Sequence, residues 1–221
     1  MQNLFHHLHD KDHIIWDWNG TLLSDVPHAV ATINTLLAPR GLPLMDLERY
    51  RNTFCFPIRK YYEALGFDLK AESLSDLCET FVERFMAKVN HCALEEGSRE
   101  LLKRIKGAGK TQSVLSATHQ PNLDQMVASF QLEPYFDFVY GIEDKLAASK
   151  LRRGHELIAA SGIAPARTIL VGDTDHDLEV ARELGIPVVL VSHGHQCAER
   201  LRSLHHNVVD VEQADAAGVA S

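Results

Sequence analysis

The sequence predicts an α/β fold: a three-layer core on a mainly parallel sheet, interrupted near its start by an inserted block of helices. Three observations carry this. After Gly97, short β-branched apolar runs alternate with amphipathic helical stretches, the pattern of a parallel sheet covered on both faces. One further run of that kind, His13-Ile14-Ile15-Trp16-Asp17-Trp18, stands alone near the N-terminus. Between them the periodicity is helical, with no strand pattern. The expected division is therefore a core from residues 1–23 and 96–221, with a helical domain from 24–95.

Each element has its own signal. The first run is short and apolar and meets Asn19-Gly20-Thr21, a strand entering a tight turn. Val26, Val30, Ile33, Leu36 and Leu37 make a helical stripe that Pro39-Arg40-Gly41 closes. Phe54-Cys55-Phe56-Pro57 breaks the pattern, Ile58–Leu65 resumes it up to Gly66, and Ser75–Val89 carries Leu77, Phe81, Phe85 and Val89 on one side. In the second block the expected order is helix at Arg99–Lys106, strand at Thr111–Leu115, helix at Leu123–Phe130 and strand at Phe136–Tyr140. Helix at Lys150–Ala160, strand at Thr168–Val171, helix at Asp177–Leu184 and strand at Pro187–Val191 follow, with a last short strand at Val208-Val209. The small, polar tail after Val211 reads as a fraying end.

Composition narrows the function. With 22 Lys plus Arg against 30 Asp plus Glu, the net charge is −8, and no basic run offers the phosphate-neutralising surface that nucleic acid requires. Cys55, Cys78, Cys92 and Cys197 form no CxxC pair and read as reduced thiols. The N-terminal segment has no apolar signal core, and no stretch approaches membrane-span length. A cytoplasmic protein, monomer or homodimer, is expected. His6, His7, His9 and His13 read as solvated surface.

Sites in open parallel sheets lie at the carboxyl ends of strands. Four segments there, or opening the following helix, carry chemistry: Asp17-Trp18-Asn19-Gly20-Thr21-Leu22, Ser116-Ala117-Thr118, Lys150 and Gly172-Asp173-Thr174-Asp175-His176-Asp177. A strand-end carboxylate can attack phosphorus and form an acyl phosphate. Two anions repel, so a hard divalent cation such as Mg2+ must sit between them. Asp173 can supply it a second carboxylate, and Asp177 a contact to bound water. Ser116 and Lys150 can bind the remaining phosphate oxygens, and Gly20 lets backbone N–H groups of the turn approach them. Lys145 competes with Lys150 for its role; the distance to Gly162-Ile163 favours Lys150.

These segments, in this order, resemble the haloacid dehalogenase-like hydrolase superfamily. Its first motif, DxDGT(L/V), is matched by Asp17–Leu22 with one departure. Its second, a strand ending in Ser or Thr, is matched by Ser116, its third by Lys150, and its fourth, GDxxxD, in full by Gly172–Asp177. Phe56-Pro57, Tyr61-Tyr62 and Leu65-Gly66-Phe67 are similar to the caps of phosphoglycolate-phosphatase-like members. The resemblance implies a Rossmann-like core with an α-helical cap that closes over the site. It implies a phosphohydrolase acting on a small phosphorylated metabolite, with Asp17 as nucleophile. Metal would be held by Asp17, the Asn19 carbonyl, Asp173 and Asp177, and phosphate by Gly20, Thr21, Ser116, Ala117 and Lys150.

The departure is Asn19. Family phosphatases usually carry there a second Asp that protonates the leaving group, and an amide cannot exchange a proton at working pH. Three readings follow. The leaving group needs little protonation or borrows an acid such as His119, His176, His193 or His195; the reaction is of the phosphonatase type; or the chain is an impaired member that binds a phosphorylated ligand. Trp16 and Trp18 share one face of the strand and read as core, with Trp18 able to reach a ligand. Arg59, Tyr61 and Tyr62 are candidates to read the substrate.

Overall fold

The computed structural model describes residues 1, 4–143 and 150–210. Lys145 and the tail after Val211 lie outside the described residues. Six parallel strands form one sheet in the order β5-β4-β1-β6-β7-β8: β1 His13–Trp16, β4 Thr111–His119, β5 Phe138–Ile142, β6 Thr168–Gly172, β7 Val188–Val191 and β8 Val208–Val209. β1 is central, pairing His13 with Thr111 on one side and with Thr168 on the other. From β1 the chain builds outward first through β4 and β5, then through β6, β7 and β8. The direction of growth reverses at β1, and its carboxyl end is where such sheets form a crevice.

Strand alternation sorts the core into two layers. Ile14, Trp16, Val114, Ile169 and Val171 enter a buried cluster with α6 (Ser98–Gly107) and α7 (Gln120–Ser129). Ile15, Leu115, Leu170 and Leu190 enter another with α8 (Lys150–Ser161), α9 (Asp175–Leu184) and α10 (Ala198–Leu204). The first cluster runs on without a break into the helical block, through Tyr50, Tyr61, Leu65 and Phe85. That block holds α2 (Val26–Leu37), α3 (Leu47–Thr53), α4 (Ile58–Leu65) and α5 (Leu74–Met86). Ser73 caps α5 by accepting from the Asp76 N–H, and α2 buries Ala29, Val30, Ile33, Leu36 and Leu37 as its spacing predicts.

Five points differ from the sequence reading. A short helix, α1 (Phe5–Leu8), precedes β1 and buries Leu8. The block is not purely helical: β2 (Leu23–Ser24) and β3 (Ala93–Leu94) pair antiparallel at its two ends, in runs too short to show periodicity. α3 and α10 lack a broad apolar stripe; each buries a single residue, Tyr50 or Leu201. β4 runs to His119, past a register shift between Leu115 and His119. Finally, His6, His7 and His9 are exposed, but His13 is fully buried with Nε2 2.7 Å from the Ser113 hydroxyl, and burial pushes its pKa down to about 4.

Both tryptophans are fully buried, but only Trp16 has a partner for its N–H, donated to Gln112 Oε1 at 3.2 Å. Trp18 packs on Phe130, and its Nε1 has no hydrogen-bond partner among the described residues. Replacing either by Phe removes similar area, but only Trp16→Phe strands a buried acceptor. Trp16→Phe should therefore cost about 1–3 kcal/mol more than Trp18→Phe, read from urea unfolding midpoints; equal costs would mean the Gln112 bond contributes nothing.

Candidate active site

The three central strands bring the predicted segments together. Asp17 follows β1, Ser116 lies on β4, Asp173 follows β6 and Lys150 opens α8. Lys150 Nζ donates to Asp17 Oδ1 and to Asp177 Oδ1, both at 2.6 Å, and is 3% exposed. Asp177 Oδ2 accepts from the Thr174 hydroxyl at 2.8 Å and from the Asp173 and Thr174 N–H groups. Thr174 and Asp177 thus form a capping box that fixes the start of α9. The carboxylate that caps the helix is the same one that holds the lysine.

Asp173 is wedged in place. Its Oδ1 accepts from the Thr21 hydroxyl at 3.0 Å and its Oδ2 from the His195 N–H at 2.6 Å. A Cβ at Gly20, whose φ is +71°, would lie 2.4 Å from Asp173 Oδ2, and one at Gly194 2.1 Å from the same atom. Neither position admits a side chain while Asp173 stays. Among the described residues, oxygens of Asp17, Asp173 and Asp177 lie within 4.8 Å of one another and could hold a metal ion.

Asn19 occupies the other side. Its Nδ2 donates to Asp25 Oδ2 at 2.8 Å, and its Oδ1 accepts from the Thr118 hydroxyl at 2.8 Å. Asp25 precedes α2 in the N-cap place, yet makes no side-chain cap bond; its Oδ1 accepts instead from the Gly20 N–H at 2.7 Å. His195 lies 3.4 Å from Asp25 Oδ1 through Nε2, and its Nδ1 meets the Tyr50 hydroxyl at 2.8 Å. Arg51, beside Tyr50 on α3, donates to the carbonyls of His193 and Gly194. The helical block therefore holds the loop that positions Asp173.

The electrostatics follow from this crowding. Burial, with repulsion from Asp177 and Asp173, raises the Asp17 pKa above the usual carboxylate range despite Lys150. Burial raises Asp173 to about 6. Burial opposes a charged His195, but Asp25, with Asp173 and Asp17, outweighs it and holds the imidazole up to about 9.

A cavity of about 580 Å3 opens onto these groups. Asp17, Asn19, Ser116, Ala117, Lys150, Asp173 and Asp177 all line it. Gly20 and Thr21 do not: the Gly20 N–H is turned to Asp25 and the Thr21 hydroxyl to Asp173, so both stand behind the site rather than facing a phosphate. Of the loop histidines, His119, His176 and His195 line the cavity, whereas His193 is buried with Nε2 3.4 Å from the Thr21 carbonyl. Trp18, Arg59, Tyr61 and Tyr62 do not line it; Tyr50, Phe54 and Phe56 do. Sequence reasoning passed over Asp25 and Tyr50, and it gave Thr118 no role of its own. Only Asp25 carried a signal, an acid at a helix start, and its ordinary meaning there is a cap.

The sequence matches the haloacid dehalogenase-like hydrolases over residues 14–191. The chain belongs to this family. It is 30% identical to a phosphoglycolate phosphatase of Caulobacter vibrioides, over 94% of this chain and 92% of that one. It is 28% identical to an N-acetylmuramic acid 6-phosphate phosphatase of Pseudomonas aeruginosa, over 82% of each. A haloacid dehalogenase-like hydrolase from Streptococcus pneumoniae shares the fold at a TM-score of 0.78 and 19% identity, over 92% of this chain and 95% of that one.

The charge balance of this hydrolase fits a bound cation. Four buried carboxylates, Asp17, Asp25, Asp173 and Asp177, face two buried cations, Lys150 and His195, a deficit of two positive groups that a bound cation would offset, favouring the ionised forms of Asp17 and Asp173. An all-oxygen donor set with that deficit suits a hard divalent ion. Without metal, two groups give stability a definite pH slope. His195 titrates at about 9 in the folded chain against about 6.5 unfolded, so its contribution is full below 6.5 and lost as pH rises to 9. Asp17, raised in the folded state, acts in the same sense over the upper part of its titration. The metal-free protein should lose stability from pH 6.5 to 9, by up to about 1.4 kcal/mol per pH unit for each proton of difference. Urea unfolding with chelator at several pH values checks this, and a rising or flat profile would remove the charged His195.

Proposed function

We propose that the chain is a magnesium-dependent phosphohydrolase that cleaves a small phosphorylated metabolite through an aspartyl-phosphate at Asp17. The observation that carries this reading is the convergence of Asp17, Asp173, Lys150 and Ser116 on one cavity. Phosphatase relatives that match most of the chain support it. Asp17 attacks phosphorus, the bond to the leaving oxygen breaks, and water then cleaves the aspartyl-phosphate and releases inorganic phosphate. Lys150 and the Ser116 hydroxyl, with the Ala117 N–H, hold the transferred group. Magnesium, held by Asp17, the Asn19 carbonyl and Asp173 beside Asp177, would screen the nucleophile from the phosphate charge.

The block of residues 24–95 acts in this reading as a cap on the core of residues 1–23 and 96–221. It joins the core through the β2–β3 pair and clasps it through Tyr50 and Arg51. Closure would exclude bulk water from the site. Among the described residues no helix is long and apolar enough to cross a membrane. We read the protein as a cytoplasmic enzyme, monomeric or homodimeric, with no role for nucleic acid.

A second reading, a phospho-ligand-binding member with little turnover, is favoured by Asn19 alone. Acetyl phosphate, whose leaving group needs no acid, separates the two. Magnesium should support its hydrolysis and chelator should stop it, and Asp17→Asn should lower the rate by about 10⁴-fold or more. Retained activity in Asp17→Asn would mean that another group is the nucleophile. Magnesium should also raise the thermal midpoint of the wild type and not that of Asp173→Asn.

Restoring an acid at position 19 is a separate test. Asn19→Asp would set a carboxyl against Asp25, whose charge raises its pKa toward the range of a working acid. Turnover of alkyl phosphates should rise about 10²-fold. No gain would mean that another group already transfers the proton.

A further inference from the structure

Beside its charged residues, the cavity is lined by aromatic side chains. Phe54 and Phe56 reach it from the junction of α3 and α4, Phe81 and Phe85 from α5, and Ile58 and Met126 line it as well. The phenyl groups are paired: Phe54 and Phe56 edge-on at 5.5 Å, Phe81 and Phe85 nearly parallel at 5.9 Å. Phe56 also lies over the His176 imidazole at 4.6 Å. Aromatic walls in these orientations favour another aromatic ring over a polar chain. Among the described lining residues there is no arginine; Lys150 is bound to Asp17 and Asp177, and the charged His195 faces Asp25 and Tyr50. Glu79 and Glu83 stand at the α5 edge. At the α5 wall, a leaving group with its own carboxylate, such as that of phosphoglycolate, would meet aromatic carbon and no arginine among the described lining residues.

Asn19 adds an independent constraint. An aliphatic alkoxide has a conjugate acid near that of water, about 16, and departs slowly unless protonated. A phenol lies near 10, so its anion departs without a proton donor. Asn19 carries two N–H groups on Nδ2, of which one is donated to Asp25. The other can hydrogen-bond a departing oxygen but cannot transfer a proton to it.

We propose that the substrate class is a small, uncharged aryl phosphomonoester, its ring held against the phenylalanines that line the cavity and its phosphate at Asp17. The inference rests on the phosphohydrolase reading. In the transfer step Asp17 Oδ bonds to phosphorus as the phosphorus–aryl oxygen bond breaks. The electron pair leaves on the phenolate, which takes its proton from water. A second water then cleaves the aspartyl-phosphate, giving inorganic phosphate and the free Asp17 carboxylate.

The test is a substrate series with magnesium: phenyl, benzyl and 2-naphthyl phosphate, phosphoglycolate and acetyl phosphate. Phenyl and benzyl phosphate are matched in apolar character and differ in leaving oxygen. Phenyl phosphate should turn over at least about 10²-fold faster than benzyl phosphate, and 2-naphthyl phosphate should have the lowest KM. Phosphoglycolate or benzyl phosphate turned over as well as phenyl phosphate would overturn the substrate class and leave the phosphohydrolase reading intact. Failure of every compound, acetyl phosphate included, would overturn that reading and the substrate class with it. Phe81→Ala, at a half-buried position, should lower the ratio of 2-naphthyl to acetyl phosphate kcat/KM about tenfold; an unchanged ratio would place the ring elsewhere.

Discussion

A buried ammonium between two carboxylates is the interaction on which the rest of the molecule depends. Taking Lys150 out of water costs several kcal/mol, and so does burying Asp17 and Asp177. Each charge is tolerable only while its partners stay at hydrogen-bond distance. That requirement reaches far back along the chain. β1 and β6 must be neighbours so that Asp17 and Asp173 end side by side, and α9 must start where the Thr174–Asp177 capping box puts it. α8 must then deliver its first residue to both carboxylates. The parallel sheet is the scaffold that meets these conditions at once, because its strand ends converge on one edge.

Asn19 is intelligible within the same charge balance. The site already holds two more buried carboxylates than cations, and Asp25 sits 2.8 Å from the Asn19 nitrogen. A carboxylate at position 19 would face another carboxylate there; the amide donates to it instead and accepts from Thr118. The substitution therefore exchanges acid–base capacity for a satisfied hydrogen-bond chain from Thr118 through Asn19 to Asp25. That chain also fixes the turn, because Asp25 holds the Gly20 N–H and so is lost as a helix cap.

The sheet and most of the helices were legible because each contributes a face or a full layer to the core, and burial leaves a period in the sequence. The place of the candidate site was legible because the carboxyl ends of the central strands bring Asp17, Ser116 and Asp173 to one cavity, with Lys150 at the start of α8. What stayed hidden is what makes few contacts or many-body ones. α3 and α10 each bury one residue, and β2 and β3 have two residues each. Thr21 illustrates the second kind: as a hydroxyl in the turn it reads as a phosphate ligand, and only the fold shows that Asp173 takes it first. The charge on His195 likewise arises from Asp25, Asp173 and Asp17, three residues distant from it in sequence that no local pattern could join to it. Asp25 was masked by its own position, since an acid before a helix has an ordinary explanation that the structure does not use.

The two halves of the cavity impose one common restriction. The strand-end half offers charge stabilisation without a proton donor at position 19, which favours a leaving oxygen that is stable as an anion. The helical half offers aromatic surface without a free cation among its described residues, which restricts the rest of the leaving group to something uncharged and apolar. An acyl phosphate of a small acid satisfies the first restriction alone, and a nucleoside or benzyl ester at most the second. A phenolic ester satisfies both, because the same ring that packs against Phe54 and Phe81 also spreads the negative charge of the departing oxygen. The loss of an acid in the core and the aromatic lining of the helical block are then not separate peculiarities: each makes the other workable.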